Sequence, residues 1–332
     1  MVIKVLRVRN FKSVKDLELS CRRINVFIGE PDTGKSNILE VIGLLSHVRF
    51  GLGKIKDFVR MDYMSDIFYN KQTGSEISIE VDNKVLKVRR EGNLFRGEFV
   101  GEKRGKTQVF LYSSKGESRS AISISTEARE FFELFKFYRF GVREEFPGGF
   151  EPFLLPPDGG NLTTLIIGSG ELQEVFGDVL SEFGYELVVR EFEKKIEVQK
   201  RIREGILVSL PLFMVSESVY RLLFHLAAIL TNRGSVIAFE EPEIHTHPYY
   251  TKYLAERIAS DRNNQYFIST HTPYMLVPLI EKTSIRGLAV NVTYVDEGQT
   301  KVYTLSDEDL EKLLDLKFDA LLNLDRFLRG LR

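Results

Sequence analysis

One segment of the sequence restricts the possible folds more than any other, Gly29-Glu30-Pro31-Asp32-Thr33-Gly34-Lys35-Ser36. It matches the pattern G-x-x-x-x-G-K-[ST] at every defined position. A short apolar run, residues 24–28, precedes it, and residues 36–46 after it carry apolar side chains at helical spacing. This order predicts a buried strand, a phosphate-binding loop and a helix that begins at the loop.

The residue types of this loop suit a bound triphosphate. The glycines let the backbone curl so that successive N–H groups point inward, and the helix adds the positive end of its dipole. The Lys35 ammonium can reach the β and γ phosphates, and the Ser36 hydroxyl can ligate Mg²⁺. We therefore expect residues 29–36 to bind ATP or GTP, with Mg²⁺ as the accompanying metal.

A second buried run, residues 236–239, ends in the acidic segment Glu240-Glu241-Pro242-Glu243. We expect this strand to lie beside the phosphate loop, at the carboxyl edge of a parallel sheet. Glu240 would then hold Mg²⁺ through water, while Glu241 would orient and deprotonate the attacking water. The alternative is a solvated acidic turn that precedes a helix.

A third strand, predicted over residues 265–269, is followed by Thr270-His271-Thr272-Pro273. His271 would lie at the same sheet edge as Lys35 and Glu241. A histidine there can contact a γ-phosphate and sense its loss, and the alternative is a surface histidine after a strand.

The histidines do not form a recognisable metal motif. His245 and His247 are two residues apart, so on a helix they would point to different faces, whereas on a strand they would share one. No cysteine lies nearby, and His271 belongs to a different strand end. This spacing argues against a zinc site.

The rest of the chain predicts an α/β fold with a separate antiparallel part. Residues 74–125 hold short strands separated by glycine and charge, which indicates an antiparallel meander. Helices alternate with strands in the last third, and this predicts a mainly parallel core sheet with helices on both faces. The predicted helices are residues 126–136, 171–183, 219–230, 249–258, 307–316 and 320–328, and the further strands are residues 2–8, 17–19, 186–190, 205–210, 288–295 and 302–305.

We predict one unit that spans the whole sequence and has four parts. A β-rich nucleotide-binding lobe covers about residues 1–135, and an insertion of helix and strand covers about residues 136–210. A lobe with the acidic strand and His271 covers about residues 211–306, and C-terminal helices cover residues 307–332.

With these motifs in place, the sequence resembles the ABC-type ATPase heads of the SMC, RecF and OLD-like families of P-loop NTPases. The similar segments are Leu6-Arg7-Val8-Arg9-Asn10-Phe11-Lys12-Ser13, Gly34-Lys35-Ser36-Asn37, Pro157-Asp158-Gly159-Gly160-Asn161-Leu162, Glu240-Glu241-Pro242-Glu243-Ile244-His245-Thr246-His247-Pro248 and Ser269-Thr270-His271-Thr272-Pro273. The resemblance covers residues 1–15, 24–45 and most of 155–275, and it includes neither a coiled coil nor a fused nuclease domain.

The resemblance implies further site residues. It places Lys12 or its neighbours, and Asn37, near the nucleotide. It also assigns a signature loop to residues 215–218, whose Ser216 would bind the γ-phosphate held by a second copy of the chain. The implied state is an ATP-clamped homodimer. Ser218 stands where a glycine is usual in this loop; we expect it to contribute to nucleotide binding with Ser216, and it can serve as an N-cap. Glu240 stands where many relatives have aspartate.

Composition limits the partners and the compartment. Lys and Arg number 46 against 47 Asp and Glu, so the net charge of −1 argues against a protein that coats nucleic acid through bulk charge. Local basic clusters that could contact DNA are Lys54 with Lys56, Lys103-Arg104 with Lys106, and Lys200-Arg201 with Arg203. The single cysteine, Cys21, excludes an intramolecular disulfide and fits a reducing cytoplasm, and no apolar stretch is long enough to suggest a membrane span.

Three functions remain to be compared. The first is an ATPase switch in DNA repair, chromosome maintenance or defence against foreign DNA, as the resemblance implies. The second is a nucleotide-dependent binding module with very low turnover that acts through a partner protein, and the missing signature glycine motivates it. The third is a P-loop kinase or a GTPase, which is disfavoured because the sequence has no N-K-x-D type guanine-reading motif.

Overall fold

The computed structural model describes residues 3–51, 53–102, 105–120 and 124–316. Its β-strands are β1 (Val5–Phe11), β2 (Val14–Ser20), β3 (Ile24–Gly29), β4 (Ile77–Val81), β5 (Lys84–Glu91), β6 (Leu94–Val100), β7 (Lys106–Tyr112), β8 (Phe135–Tyr138), β9 (Glu186–Arg190), β10 (Lys195–Arg203), β11 (Ile206–Pro211), β12 (Val236–Glu240), β13 (Gln265–Ser269), β14 (Leu288–Asp296) and β15 (Gln299–Thr304). Its α-helices are α1 (Lys35–Phe50), α2 (Ile55–Phe58), α3 (Thr126–Glu133), α4 (Leu162–Gly168), α5 (Gly170–Ser181), α6 (Glu217–Thr231), α7 (Pro248–Ser260), α8 (Pro273–Lys282) and α9 (Asp307–Leu316).

The central sheet has six strands in the order β15-β14-β3-β13-β12-β8. Its β14, β3, β13, β12 and β8 pair in parallel, whereas β15 is antiparallel to β14. The carboxyl ends of β3, β13 and β12 therefore meet at one edge of the sheet, which is where a ligand binds in open α/β folds. This sheet confirms the predicted α/β class with a mainly parallel core.

A second six-stranded sheet, in the order β2-β1-β4-β5-β6-β7, is antiparallel throughout and contains the predicted meander. Helix α1 packs with both this sheet and the central sheet, and side chains of all three form one hydrophobic core. Twelve of the 16 residues of α1 are buried, because apolar surface covers more than one of its faces. The helix that follows the phosphate loop is thus enclosed.

The opposite face of the central sheet carries a second hydrophobic core, to which α5, α6, α7 and α8 contribute. A three-stranded antiparallel sheet, β11-β10-β9, extends from this side. Helices on one face and an antiparallel sheet with α1 on the other give the layered arrangement that the alternation of elements predicts.

Several elements differ from the sequence prediction. Helix α3 ends at Glu133, and the apolar residues that follow form strand β8 rather than a final helical turn, because they pair in parallel with β12. The strand β10 and the helices α4 and α8 were not predicted. The predicted helix at 320–328 lies outside the described residues, as do residues 121–123 near the end of the predicted meander. The division of the chain into four parts stays a prediction.

Candidate functional site

The phosphate loop joins β3 to α1, and its backbone requires glycine at both ends. Gly34, the N-cap residue of α1, has φ 97°, in the left-handed region. A Cβ atom there would lie 2.0 Å from Thr300 Oγ1, and one at Gly29 would lie 2.3 Å from Thr293 Oγ1. Both glycines are therefore required by close packing against the β14–β15 hairpin as well as by conformation.

Hydroxyl groups of that hairpin fix the loop. The hydroxyls of Thr33 and Thr293 share a 2.6 Å hydrogen bond, and Thr300 Oγ1 donates to the Thr33 carbonyl at 3.0 Å. Ser13 Oγ lies 2.7 Å from Thr300 Oγ1 and accepts a hydrogen bond from the Asn37 amide at 2.7 Å. The Asn37 side chain thus binds Ser13, and this places it in the support of the loop. Its predicted contact with nucleotide stays a prediction.

Lys35 is buried, and its ammonium donates to the carbonyls of Gly29 at 2.9 Å and Glu30 at 2.7 Å. Burial lowers the pKa of Lys35, and the negative charge of Glu241 acts in the opposite direction. The ammonium is therefore held over the loop itself, within the electrostatic reach of the acidic strand end.

Glu241 and His271 meet at the carboxyl edge of the sheet, with His271 Nε2 2.8 Å from Glu241 Oε1. The Glu241 N–H donates to the Ser269 carbonyl at 3.2 Å and to Ser269 Oγ at 3.1 Å, so the ends of β12 and β13 are tied together. Glu241 also has φ 43°, an uncommon conformation for a residue with a Cβ atom. The residues predicted to act as general base and phosphate sensor, Glu241 and His271, are thus adjacent.

Strand β13 lies between the acidic strand β12 and the phosphate-loop strand β3 and pairs in parallel with both. It ends at Ser269, two residues before His271. The sequence did not predict which of these strands are direct neighbours, but all three end at the same edge of the sheet.

Glu240, the predicted metal carboxylate, is held by two arginines. Arg60 Nη2 lies 3.0 Å from Glu240 Oε1, and Arg139 Nη2 lies 3.6 Å from Glu240 Oε2. The Glu240 side chain retains 16% exposure, so the pairing leaves it open to solvent on one side. No hydrogen bond or ion pair joins Glu240 to Ser36 in the described part of the chain.

Both arginines also contact Glu40 on α1, whose side chain is completely buried. Arg60 donates to Glu40 Oε1 at 2.8 Å through Nε and at 3.0 Å through its backbone N–H, and Arg139 lies 3.3 Å away. Lys12 donates to the other oxygen of Glu40 and, at 2.7 Å, to the Arg60 carbonyl. The Lys12 ammonium thus supports Arg60 in this structure, whereas the resemblance placed Lys12 near the nucleotide.

Three residues of this site, Glu40, Arg60 and Arg139, were not predicted from the sequence. One signal was available for Arg139, since it follows the mostly aromatic run Phe135-Lys136-Phe137-Tyr138 as a polar residue follows a strand end. The predicted helix over residues 126–136 included the first two residues of that run and concealed the signal. Glu40 and Arg60 had no comparable signal. A single glutamate within an otherwise apolar helix is ordinarily expected on the solvent-exposed face of that helix.

The predicted signature loop lies at the start of α6, where Ser216 is the N-cap residue and makes no side-chain capping hydrogen bond. The prediction that Ser218 acts as the N-cap is wrong. Its hydroxyl instead donates to the carbonyl of His245 at 2.6 Å, because it lies within the first turn and faces the segment after β12. His245 Nδ1 in turn lies 3.0 Å from Glu217 Oε1.

A sequence profile described as "AAA ATPase domain" matches residues 1–140 and 215–276, which is more than half of the chain. The chain belongs to the AAA ATPase domain family. No curated protein sequence matches it. The two matched segments contain the phosphate loop and Arg60, and then the acidic strand and His271, so the family profile covers the site described above.

This AAA ATPase domain protein shares its fold with solved SMC heads. It is similar to an Smc head bound to the C-terminal winged-helix domain of ScpA, with 14% identity, 94% of this chain and 100% of that chain covered, and a TM-score of 0.56. It is also similar to the Pyrococcus furiosus Smc head with an extended coiled coil bound to the C-terminal domain of ScpA, with 12% identity, 94% and 98% coverage, and a TM-score of 0.57. Family and fold together support ATP binding and hydrolysis, and they confirm the resemblance to ABC-type ATPase heads.

The residues near the phosphate loop of this AAA ATPase domain protein are chemically suited to Mg²⁺. Ser36 and Glu240 offer oxygen ligands, which this hard cation prefers, and few protein ligands suffice because Mg²⁺ usually keeps several waters and a phosphate. Among the described residues, no group of three or more His, Cys, Asp or Glu side chains is placed to hold a metal ion. His247 instead caps α7 through an acceptor contact with the Tyr249 N–H at 3.3 Å.

Other predicted features of the domain occupy its surface or core. Lys54, Lys56, Lys200, Arg201 and Arg203 are exposed, while residues 103–104 lie outside the described part. Cys21 is buried, and burial raises the pKa of its thiol to about 12. In the described part of the chain, every helix is too short or too polar to cross a membrane.

Proposed function

We propose that this protein binds ATP with Mg²⁺ and hydrolyses it at the carboxyl edge of the central sheet. The observation that carries the proposal is the contact of His271 Nε2 with Glu241 Oε1 at 2.8 Å, next to a phosphate loop whose Lys35 is within the electrostatic influence of Glu241. A base, a phosphate-sensing imidazole and a phosphate-binding ammonium around one edge are the groups that water attack on a γ-phosphate requires.

Each residue has a proposed role. The backbone of residues 29–36 and Lys35 bind the phosphates, Glu241 accepts the proton of the attacking water, and His271 senses the γ-phosphate. Ser36 and Glu240 hold Mg²⁺, which when bound neutralises charge on the phosphate oxygens. Glu240 first has to exchange Arg60 and Arg139 for that role, which makes both guanidinium groups available to the bound anion.

We further propose that two copies of the chain close on two ATP molecules. The N-terminus of the 15-residue helix α6 and the Ser216 hydroxyl form a surface suited to an anion. The Ser216 side chain makes no capping hydrogen bond, so it leaves the first N–H groups of the helix available, and the helix dipole is positive at this end. In the proposed dimer this surface meets the γ-phosphate held by the partner subunit, and hydrolysis opens the dimer.

The experiment is a comparison of Glu241→Gln with Glu174→Gln, an exposed glutamate on α5. Steady-state hydrolysis and size-exclusion chromatography are measured with and without Mg-ATP. We expect the first variant to lose at least about a hundredfold of turnover and to accumulate as a dimer with Mg-ATP, and the control to match the wild type. Equal turnover in both variants would show that Glu241 is not the base.

A second candidate is a nucleotide-dependent binding module with very low turnover that acts through a separate effector protein. The occupation of Glu240 by Arg60 and Arg139 favours it, because a carboxylate held by two cations binds metal less readily. In that case ATP would still promote dimers of the wild type, but the steady-state rate of ATP hydrolysis would be close to the uncatalysed rate.

For the biological role, we propose DNA repair, chromosome maintenance or defence against foreign DNA. The exposed basic residues Lys54, Lys56, Lys200, Arg201 and Arg203 support it, since clustered cations can follow a phosphate backbone. DNA binding by the ATP-bound form is expected to weaken steeply between about 50 and 200 mM salt. Binding that is absent or independent of salt would remove DNA from the proposal.

A further inference from the structure

Glu243 makes contacts that the proposed chemistry does not use. It lies two residues after Glu241, in the segment between β12 and α7. Its Oε1 accepts a hydrogen bond from Thr270 Oγ1 at 2.6 Å and another from the backbone N–H of His271 at 2.9 Å. Its Oε2 is buried and has no hydrogen-bond partner in the described part of the chain. An orphaned carboxylate oxygen is costly, so the contacts at Oε1 need a functional or structural reason.

The segment that carries Glu243 is held rigidly. The Ile244 N–H donates to the Glu241 carbonyl at 3.1 Å, and the Thr246 N–H donates to the Glu243 carbonyl at 2.9 Å. Glu241 and His245 both have positive φ, 43° and 55°. Two non-glycine residues with positive φ in one short turn are retained only when the surrounding contacts hold the backbone in that conformation. The turn therefore gives the Glu243 carboxyl a defined position.

His271 is consequently held at two points. Its imidazole contacts Glu241 at 2.8 Å, and its backbone N–H binds Glu243 at 2.9 Å. Both glutamates belong to the same turn, and Thr270, which precedes His271, is bound to the same oxygen of Glu243. The position of the imidazole relative to the Glu241 carboxylate therefore depends on where Glu243 places the His271 backbone.

We propose that Glu243 is a positioning residue that sets the distance and orientation between His271 and Glu241. The inference rests on the proposed function, because it assigns a role in the geometry of that same site. Only Oε1 makes the contacts that position His271. A glutamine retains an oxygen that accepts both hydrogen bonds, whereas an aspartate is one methylene too short and an alanine has no acceptor.

Burial raises the pKa of the Glu243 carboxyl, and the negative charge of Glu241 acts in the same direction. Glutamine keeps an acceptor oxygen at the same side-chain length without a carboxylate charge, whereas aspartate keeps the carboxylate on a shorter side chain. Together the two variants test whether the position of the acceptor or its charge holds the His271 backbone.

The experiment compares Glu243→Ala, Glu243→Asp and Glu243→Gln in the full chain, with thermal unfolding as the check on folding. Steady-state ATP hydrolysis is separated into kcat and KM. We expect kcat to fall about tenfold to a hundredfold in the alanine and aspartate variants, with KM within about threefold, since a displacement near 1 Å has effects of this size. The glutamine variant restores most of the lost kcat. Equal losses in all three variants, or none in alanine and aspartate, would overturn the inference.

A second readout does not require turnover. The ring C–H resonance of His271, assigned by its absence in His271→Gln, is recorded by NMR for each variant and for Glu241→Gln. The resonance in the alanine and aspartate variants is expected to move to its position in Glu241→Gln, where the carboxylate partner is missing, while the glutamine variant retains the wild-type position. An unchanged resonance in the alanine and aspartate variants refutes the positioning role.

These readouts separate the two proposals. A wild type without ATP hydrolysis, combined with the expected movement of the resonance, overturns the proposed function and supports the positioning of His271 by Glu243. If the alanine variant does not fold, Thr270→Val takes its place, because it removes one of the two donors to Oε1 and is expected to move the resonance in the same direction. Failure of that movement counts against the inference.

Discussion

Arg60 Nη2 lies 3.0 Å from Glu240 Oε1, while Nε of the same guanidinium lies 2.8 Å from the buried Glu40. One side chain thus joins the phosphate-loop helix α1 to the end of the acidic strand β12. Arg139 repeats both contacts at 3.6 and 3.3 Å. In this structure the carboxylate assigned to the metal is therefore already neutralised by protein cations, and Mg²⁺ has to compete with them.

Removing the weaker competitor should make metal binding easier. We expect Arg139→Ala to lower the Mg²⁺ concentration that gives half-maximal binding of a fluorescent ATP analogue by about twofold to fivefold, because a partly exposed ion pair contributes up to about 1 kcal/mol. Arg129→Ala, an exposed arginine on α3, is the control. A higher Mg²⁺ requirement in Arg139→Ala would indicate that this arginine contacts the nucleotide instead.

Lys12 offers a test between two roles, one implied by resemblance and one supported by its contacts. Its side chain is 10% exposed and binds Glu40, which is 0% exposed. We expect Lys12→Met to lower the free energy of unfolding in urea by about 1–3 kcal/mol, because it leaves a buried carboxylate with one cation fewer. The double variant Lys12→Met/Glu40→Gln should recover part of that loss.

The affinity of Lys12→Met for ATP distinguishes the roles. With a structural role, affinity measured well below the unfolding transition changes by less than about threefold, whereas Lys35→Ala loses about tenfold to a hundredfold, the effect of a hydrogen bond to a charged group. A large loss of ATP affinity in Lys12→Met at unchanged stability would restore the assignment of Lys12 to the nucleotide.

Substitution by alanine is expected to have opposite effects on stability at Gly34 and at Gly177. A Cβ atom at Gly34 would lie 2.0 Å from Thr300 Oγ1, and its φ of 97° is strained for alanine, so Gly34→Ala should abolish ATP binding and destabilise the fold. Gly177 lies within α5, and a Cβ atom there meets nothing within 4 Å. Gly177→Ala is therefore expected to stabilise the protein by about 0.5–1 kcal/mol in urea unfolding, with ATP affinity unchanged. Equal effects of both variants would contradict the packing of the loop.

Two buried histidines predict a loss of stability in acid. Burial lowers the pKa of both His47 and His225 to about 3 from 6.5. The unfolded chain takes up these protons below 6.5 and the folded chain does not, so the stability they contribute is fully present above 6.5 and is lost as pH falls from 6.5 towards 3. Each histidine adds up to about 1.4 kcal/mol per pH unit to this slope.

His225→Leu tests this dependence, because the ring lies among apolar and aromatic side chains such as Phe239, with centroids 4.9 Å apart. Urea unfolding between pH 7 and pH 4.5 should show a slope smaller by about one proton in the variant. The same slope in wild type and variant would mean that His225 titrates normally in the folded chain.

The sequence predicted the parts of the site that local pattern encodes. The phosphate loop, the acidic end of β12 and His271 each follow an apolar run, and parallel pairing then brings them to one edge. Arg139 follows a run of the same kind, yet its strand β8 forms only because β12 is available for pairing, and β12 is about a hundred residues away in sequence. Local pattern could not decide between strand and helix there.

Glu40 and Arg60 could not be assigned, and Ser218 was assigned wrongly as an N-cap, for a related reason. Each depends on a partner from a distant element: Glu40 on Lys12 and Arg139, Arg60 on Glu40 and Glu240, and Ser218 on the His245 carbonyl. A glutamate in a helix is ordinarily solvated, whereas Glu40 is buried and paired with Lys12, Arg60 and Arg139 from distant parts of the chain. The resemblance predicted where the signature loop and Lys12 lie in the sequence. It did not predict their hydrogen-bond partners, which only the three-dimensional structure shows.

The enclosure of α1 between two sheets has a consequence for how the site meets its ligand. The loop before this helix is fixed by threonine and serine hydroxyls from the β14–β15 hairpin and the β1–β2 turn. Most of the conformational entropy of an anion cradle is thus lost when the chain folds, and little remains to be lost on association. Affinity should accordingly respond far more to changes in charge than to changes in loop flexibility.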